Sequence, residues 1–322
     1  MVGFSIDVPT TPSLFKLTKP DVSTIWGDVR DLKKLKKTVS QEKPDIVFHL
    51  AAQPLVRASY IDPIVTFETN VLGTANLLEA LRGSSVKAAV IVTTDKVYDN
   101  EEKLKAFKES DPLGGYDPYS ASKAAAEIII ASYRNSFFNA QEYGKGHTTL
   151  IASVRAGNVI GGGDFAKDRL VPDFVRAILS KKELKVRHPK AIRPWQHVLE
   201  SLSGYLMLAQ ELYLGQKEFA TSFNLGPQKS DIKSVEWIVK KLCAEWGSGA
   251  WYSIAHDKHV HEAHYLRLDI AKAQNQLGWT PRWKIEEALG KIVDWTRDYQ
   301  AKKDMRAVCH QQIKEYSKSR QS

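Results

Sequence analysis

The run Val86-Lys87-Ala88-Ala89-Val90-Ile91-Val92 is short, apolar but for Lys87, and partly β-branched. That pattern predicts a parallel strand buried on both faces. Residues 2–6, 45–49 and 149–156 read as further strands, and 32–39, 63–81 and 117–138 as helices between them. Strands alternating with helices of that length predict an α/β fold, a doubly wound parallel sheet with helices on both faces. Beyond the turn Gly161-Gly162-Gly163-Asp164 the character changes. Aromatic residues become dense and Pro172, Pro189, Pro194, Pro227 and Pro281 punctuate shorter elements. The expected division is a sheet domain over 1–168 and a mainly ligand-closing lobe over 169–322, with segments around 190–226 returning to the first. No internal repeat occurs, and the polar tail from Lys302 is expected to fray in part.

Composition narrows the classes. The chain has 322 residues, 43% hydrophobic and 26% charged, ordinary for a globular protein. No stretch approaches the roughly 18 apolar residues of a membrane span. The opening Met1-Val2-Gly3-Phe4-Ser5-Ile6-Asp7 lacks the basic and long apolar regions of a secretion signal, so a cytoplasmic protein is expected. Cys243 and Cys309 lie far apart, without the spacing of a zinc or redox motif, and read as incidental thiols. His259, His261 and His264 fit a polar substrate wall as well as a metal site; no metal is expected. The net charge of +9 raises the question of nucleic acid. The cations are dispersed, as in Lys33-Lys34-Leu35-Lys36-Lys37 and Lys181-Lys182, and an anionic small-molecule substrate explains them more economically.

Two clusters carry chemistry. The apolar strand runs directly into Thr93-Thr94-Asp95-Lys96, and ligands of open α/β sheets bind beyond the carboxyl ends of the strands. Tyr119-Ser120-Ala121-Ser122-Lys123 lies on a helix, where a spacing of four puts the phenol and the ammonium on one face. A phenol of pKa about 10 is a poor base at neutral pH, and a nearby fixed positive charge favours its phenolate. Such a pair is expected to take a proton from an alcohol.

These clusters, with His49-Leu50-Ala51-Ala52-Gln53, Asn70-Val71-Leu72-Gly73-Thr74 and Arg155-Ala156-Gly157-Asn158-Val159-Ile160-Gly161, resemble the extended short-chain dehydrogenase/reductases. Within that superfamily five stretches look like the CDP-glucose 4,6-dehydratases: 52–57, 115–120, 162–170, 193–198 and 261–269. The likeness covers nearly the whole chain. It implies a Rossmann-type domain, NAD as cofactor, CDP-glucose as substrate, and a homodimer paired through helices 63–81 and 117–138, or a tetramer of such dimers. It implies neither a nucleic-acid nor a membrane partner, and a place in deoxysugar synthesis for surface polysaccharide.

One departure stands at the front. Relatives open with a strand and a Gly-x-x-Gly-x-x-Gly turn whose amides hold the cofactor pyrophosphate. No such motif occurs here, and the first residues correspond to the family's second strand. The expectation is weak NAD binding and poor stability, from strand edges left unpaired.

By resemblance, Tyr119 takes the 4-hydroxyl proton as hydride passes from carbon 4 to NAD. Lys123 lowers the phenol's pKa and holds the nicotinamide ribose, and Thr94 hydrogen-bonds the 4-oxygen. Asp95 is the acid that helps the 6-hydroxyl leave, and Lys96 the base for the carbon-5 proton. Cofactor contacts are implied at Asp7, Asp28, Val29, Leu50, Ala51, Ala52, Gln53, Asn70 and Thr93; the alternative for Asp7 is a simple turn aspartate before Val8-Pro9. Substrate contacts are implied at Arg169 and Arg193 for the diphosphate, and at Arg57, Asn158, His264 and Tyr265 for sugar, phosphate or nucleotide. Two rivals remain: a nucleotide-sugar 4-epimerase, which has no use for Asp95 and Lys96 as an eliminating pair, and an inactive remnant of the dehydratase.

Overall fold

The protein is described from a computed structural model that covers residues 1–100, 104–255 and 265–319. Its centre is a four-stranded parallel sheet, in the order β10 (Ser222–Leu225), β5 (Leu150–Ala156), β4 (Ala88–Val92), β3 (Ile46–His49). Successive side chains of β4 point to opposite faces, and both faces are covered. Ala88 and Val90 join Leu150, Ala152 and Val154 in a core closed by Leu208 and Leu212 of α8 (Val198–Tyr213). Ala89 and Ile91 face a second core with Leu35 and Val39 of α2 (Leu32–Glu42), Leu78 and Leu81 of α5 (Gly73–Leu81), and Ile130 of α6 (Pro118–Ser136). The doubly wound sheet expected from the pattern is the observed one.

β1 (Val2–Ser5) pairs in parallel with β2 (Ser23–Trp26), and this pair forms a separate two-stranded sheet. Among the described residues β3 pairs only with β4 and β1 only with β2, so each keeps one unpaired edge. Exposed Val2, Ile46 and Phe48 lie along these strands. β2 was not expected from the sequence: Ser23-Thr24-Ile25-Trp26 is too short and too half-exposed to carry a clear alternation.

The helix expected over 63–81 is three pieces. α4 (Pro63–Phe67) passes into a π turn at Glu68–Leu72 and then into α5. Asn70, 1% exposed, sits inside the π turn. Its side chain accepts from the Gln53 amide at 2.8 Å and donates to the Gln53 carbonyl at 3.1 Å and to Ser122 Oγ at 2.9 Å, satisfying groups that a regular helix would not reach.

A third core unites α7 (Leu170–Leu179), α9 (Val235–Trp246) and α11 (Ile285–Gln300) around Phe165, Trp195 and Trp295. β8 (Ile192–Arg193) and β9 (Gln196–His197) lead from this region into α8, which packs on β4 and β5. No helix among the described residues is long and apolar enough to cross a membrane.

Candidate active site

Past Val92 the chain turns sharply. Thr94 is extended, and its hydroxyl accepts from the Lys96 amide at 3.4 Å, capping one 3-10 turn at Asp95–Val97. That turn holds Asp95 and Lys96 at the carboxyl end of β4. Facing them is the start of α6, where Asp117 caps the helix by accepting from the Ser120 amide at 3.0 Å and its hydroxyl at 2.6 Å, with Pro118 in the first turn. Gly115, at φ 149°, lies so close to this turn that a Cβ would come within 2.4 Å of the Ala121 nitrogen, and only glycine permits the approach.

Tyr119 and Lys123 are 9% and 5% exposed. The Tyr119 amide donates to Ser59 Oγ at 3.1 Å, and Ser122 Oγ donates to the Tyr119 carbonyl at 2.7 Å, which fixes the turn that aims the phenol. Thr94, Asp95, Lys96 and Tyr119 line one cleft of about 250 Å³, with Arg57, Asn158 and Arg169 on its other walls.

Burial pushes the Asp95 carboxyl up to about 6, against the pull of Lys96, a Thr94 hydrogen bond and Arg193. Its Oδ1 accepts from Thr94 Oγ1 at 3.0 Å, while its Oδ2 is buried without a hydrogen-bond partner. Burial also pushes the Tyr119 phenol up to about 12, opposed by a hydrogen bond to Thr94. Lys123 is brought down to about 8 by burial, with Glu127 opposing.

The Lys123 ammonium donates to the Val92 carbonyl at 3.0 Å, and the charges that chiefly act on the phenol belong to Asp95, Arg169 and Asp117. Beside Lys123, His49 Nε2 is 3.1 Å from Thr74 Oγ1; burial and then the Lys123 charge bring this imidazole down to about 3, so it is neutral.

Sequence reading missed the carboxylate beneath this site. Glu127, 3% exposed, lies one further turn along the Tyr119/Lys123 face of α6. It accepts from Thr93 Oγ1 at 2.5 Å, Ser153 Oγ at 2.9 Å and Arg155 Nη2 at 2.9 Å. Burial raises its pKa, but Arg155 and these hydroxyls outweigh that and hold it below the usual carboxylate value. The signal in the sequence was the spacing 119, 123, 127.

Other expected residues are more scattered. Arg57 Nη1 donates to Asp168 Oδ1 at 2.7 Å, as Arg187 Nη1 does at 3.1 Å, and Arg169 Nη1 donates to Asp164 Oδ2 at 3.0 Å. Asp164, Asp168 and Tyr205 were not foreseen as cleft residues. Asn158 accepts at its carbonyl from the Gln196 amide at 3.1 Å. Arg193 does not line the cleft: it is 4% exposed, and its charge lowers the pKa of Asp95. Tyr265 lies outside the lining too, where it accepts at its carbonyl from Asn100. His259, His261 and His264 fall outside the described residues.

For a dinucleotide, the donor set is strongest at the Tyr119 end. Lys123 has two N–H groups beyond the one given to Val92, and Tyr119 lies one turn before it on α6, a pair suited to a ribose diol, whereas the Thr93 hydroxyl donates to Glu127. At the other end Leu50 is exposed, and Ala51 and Ala52, with small side chains, lead to Gln53. Asp28 spends its carboxylate on Arg30, at 2.6 Å from Nη2, and Val29 is buried against Gly73. Asp7 is exposed just after β1.

Comparison with known proteins agrees with this architecture. The family model for GDP-mannose 4,6-dehydratase matches residues 11–292. CDP-glucose 4,6-dehydratase of Salmonella typhimurium (strain LT2) is 48% identical over 317 residues, covering 98% of this chain and 88% of that protein. Among solved structures, dTDP-glucose 4,6-dehydratase from Bacillus anthracis in complex with NAD matches with a TM-score of 0.74 at 22% identity, over 95% of this chain and 90% of that one. UDP-glucose 4-epimerase from Thermotoga maritima matches at 0.75 and 20% identity, over 93% and 91%. At such identity these two speak for the fold alone. A family model spanning most of the sequence, and a relative matched nearly end to end, place the chain in the GDP-mannose 4,6-dehydratase family.

Proposed function

We propose that this chain dehydrates CDP-glucose to CDP-4-keto-6-deoxyglucose with NAD kept bound through turnover. The observation that carries this reading is the crest of β4: Asp95 and Lys96 share a cleft with Tyr119, in a chain 48% identical to a CDP-glucose 4,6-dehydratase. An epimerase has no use for an acid and a base beside its oxidising tyrosine.

NAD would lie with its nicotinamide ribose on Tyr119, Lys123 and Thr93, its pyrophosphate near Leu50, Ala51, Ala52, Gln53 and Asn70, and its adenosine toward Asp7, Asp28 and Val29. When bound it accepts the hydride of sugar carbon 4 and returns it to carbon 6. The chain's own groups move the protons. Tyr119, beside Thr94, takes the 4-hydroxyl proton, which makes carbon 4 a ketone and the carbon-5 proton acidic. Lys96 removes that proton, and Asp95, whose buried carboxyl holds a proton far more readily than one in water, gives one to the departing 6-hydroxyl. Arg57 and Arg169 face the cleft as cations for the substrate diphosphate, with Asn158 toward the sugar. His264 and Tyr265 stay as nucleotide contacts on the strength of the resemblance alone, while Arg193, buried, acts through its charge on Asp95.

The same reading makes the chain a cytoplasmic homodimer that serves surface-polysaccharide synthesis. Ile61, Ile64 and Leu72 on the α3 (Val56–Ile61) to α5 stretch and Ile128 on α6 are exposed apolar residues, as a helical dimer face requires.

Incubation with NAD and CDP-glucose, dTDP-glucose or UDP-glucose in parallel tests this. The expected product is a ketone that absorbs in strong alkali, formed from CDP-glucose in preference to the others. A carbon-4 isomer without ketone would identify an epimerase and overturn the reading.

A further inference from the structure

β4 ends differently from the way it begins. Its pairing with β3 stops at Ile91, opposite His49, whereas its pairing with β5 continues to Val92, opposite Val154. The Thr93 amide adds one more bond on that side, donating to the Val154 carbonyl at 2.8 Å. Among the described residues, then, β4 beyond Ile91 has a strand neighbour on one side alone, just before it turns into Thr94, Asp95 and Lys96. α6 supplies the other side with two side chains four positions apart on one face. Lys123 donates to the Val92 carbonyl at 3.0 Å, and Glu127 accepts from the Thr93 hydroxyl at 2.5 Å.

The Glu127 carboxylate divides its oxygens between two strands. Oε1 takes Thr93 of β4, while Oε2 takes Ser153 Oγ and Arg155 Nη2 of β5, each at 2.9 Å. Arg155 Nη1 donates in turn to the Tyr98 hydroxyl at 2.9 Å and to the Glu109 carbonyl at 3.1 Å, which fixes the guanidinium and with it the carboxylate. An ion pair that served stability alone would have no need of this division, since apolar groups of similar volume replace a buried pair at little cost. The oxygen turned to Thr93 reaches past the pair to the stretch of β4 that leads into the chemistry.

We propose that Glu127 is a positioning residue for the reaction: by holding the Thr93 hydroxyl it fixes the end of β4 against α6, and so sets where Lys123, Asp95 and Lys96 stand relative to Tyr119. The inference rests on the dehydratase reading above. Tyr119 and Lys123 lie on α6, while Thr94, Asp95 and Lys96 follow β4, so the proton steps need two elements held at a constant separation. A displacement of about 1 Å between such groups costs about 100-fold in rate. Glu127 does not line the cleft, so its effect passes through Thr93 and the Val92 carbonyl. The groups that act electrostatically on Lys123 are Glu127 on its own helix, which favours the ammonium, and the neutral His49 from β3.

Two variants separate positioning from support of the fold. Thr93→Val and Ser153→Ala each remove one hydroxyl donor from the same carboxylate, on the β4 side and the β5 side, and both leave the Glu127–Arg155 pair in place. Their urea midpoints should fall by similar small amounts. In steady-state formation of the keto product from CDP-glucose at saturating NAD, Thr93→Val should lower kcat by about tenfold or more with KM within about twofold, whereas Ser153→Ala should keep kcat within about twofold. Wild-type kcat in Thr93→Val, or equal losses in the two variants, would make Glu127 a residue of the fold alone and overturn the proposal. The second readout needs neither cofactor nor substrate: the 13Cε resonance of Lys123, assigned by its loss in Lys123→Arg, is titrated in wild type and both variants. A carbonyl held against an ammonium favours the charged form. Release of the Val92–Thr93 peptide should therefore move the Lys123 midpoint downward from about 8 in Thr93→Val and leave it in place in Ser153→Ala. An unmoved midpoint in Thr93→Val sinks the positioning role whatever the product assay gives. Absence of ketone from the wild-type protein, with the Thr93→Val midpoint displaced, sinks the dehydratase reading and upholds the tie from Glu127 to Lys123.

Discussion

Asp95→Asn exchanges a buried carboxylate for a neutral group of nearly the same shape. The wild-type carboxyl is 2% exposed, one of its oxygens lacks a partner, and burial lifts its pKa from 3.8 to about 6. A shift of about two units corresponds to about 3 kcal/mol. The sign follows from proton counting. Between 3.8 and about 6 the native carboxyl keeps a proton that the unfolded chain has released, so this group makes the fold less stable as pH rises through that window. Above it the whole cost is present. Asparagine has none of it and still accepts from Thr94, so the variant should be more stable than wild type by about 3 kcal/mol at pH about 7.5, with no advantage near pH 4. At about 2 cal/mol/K per residue, unfolding a chain of this size turns that into roughly 4 °C in Tm. Scanning calorimetry of both proteins across this pH range is the assay. An Asn variant less stable than wild type at neutral pH, or an advantage that does not shrink with acid, would refute the argument that burial of this charge opposes folding.

Three further outcomes are expected. Tyr119→Phe should lower kcat by at least about 100-fold with little change in nucleotide-sugar binding, because the hydroxyl carries the proton and the ring does the packing; steady-state kinetics with calorimetric binding checks it. Glu127→Gln leaves Arg155 charged and buried and should lose about 3–5 kcal/mol in urea unfolding, whereas Glu127→Gln with Arg155→Met should recover most of that loss. Arg57→Ala should raise KM for the nucleotide sugar about tenfold, and the effect should weaken in high salt, since the side chain is 47% exposed.

The sequence revealed what depends on local pattern. β4 is an unbroken apolar run, and α6 carries its cap at Asp117, its Pro118 and its 119/123 face within one segment, so both were legible. What was not legible depends on distant partners. Glu127 reads as an ordinary surface glutamate until β5 brings Ser153 and Arg155 against it. Arg193 sits in a conspicuous motif and was assigned to phosphate, yet in β8, paired with β11 (Lys233–Ser234), it is buried and its charge acts on Asp95. Asp168 meets Arg57 across 111 positions, a contact no local signal encodes. The π turn at 68–72 is invisible for a related reason: Glu-Thr-Asn-Val-Leu suits a plain helix, and only the reach of Asn70 to Gln53 and Ser122 favours the wider turn.

That wider turn also fixes how many residues this stretch must contain. Removing one position between Glu68 and Leu72 would let the backbone regularise, but every side chain before the cut would swing by about 100° relative to those after it. Thr66 and Asn70 on one side, or Thr74, Leu77 and Leu78 on the other, are all buried, and one set would be turned toward solvent. A one-residue deletion here should therefore be far more damaging than most single substitutions, while the exposed loop at 144–146, where an added side chain at Gly144 or Gly146 would meet open space, should absorb a change of length.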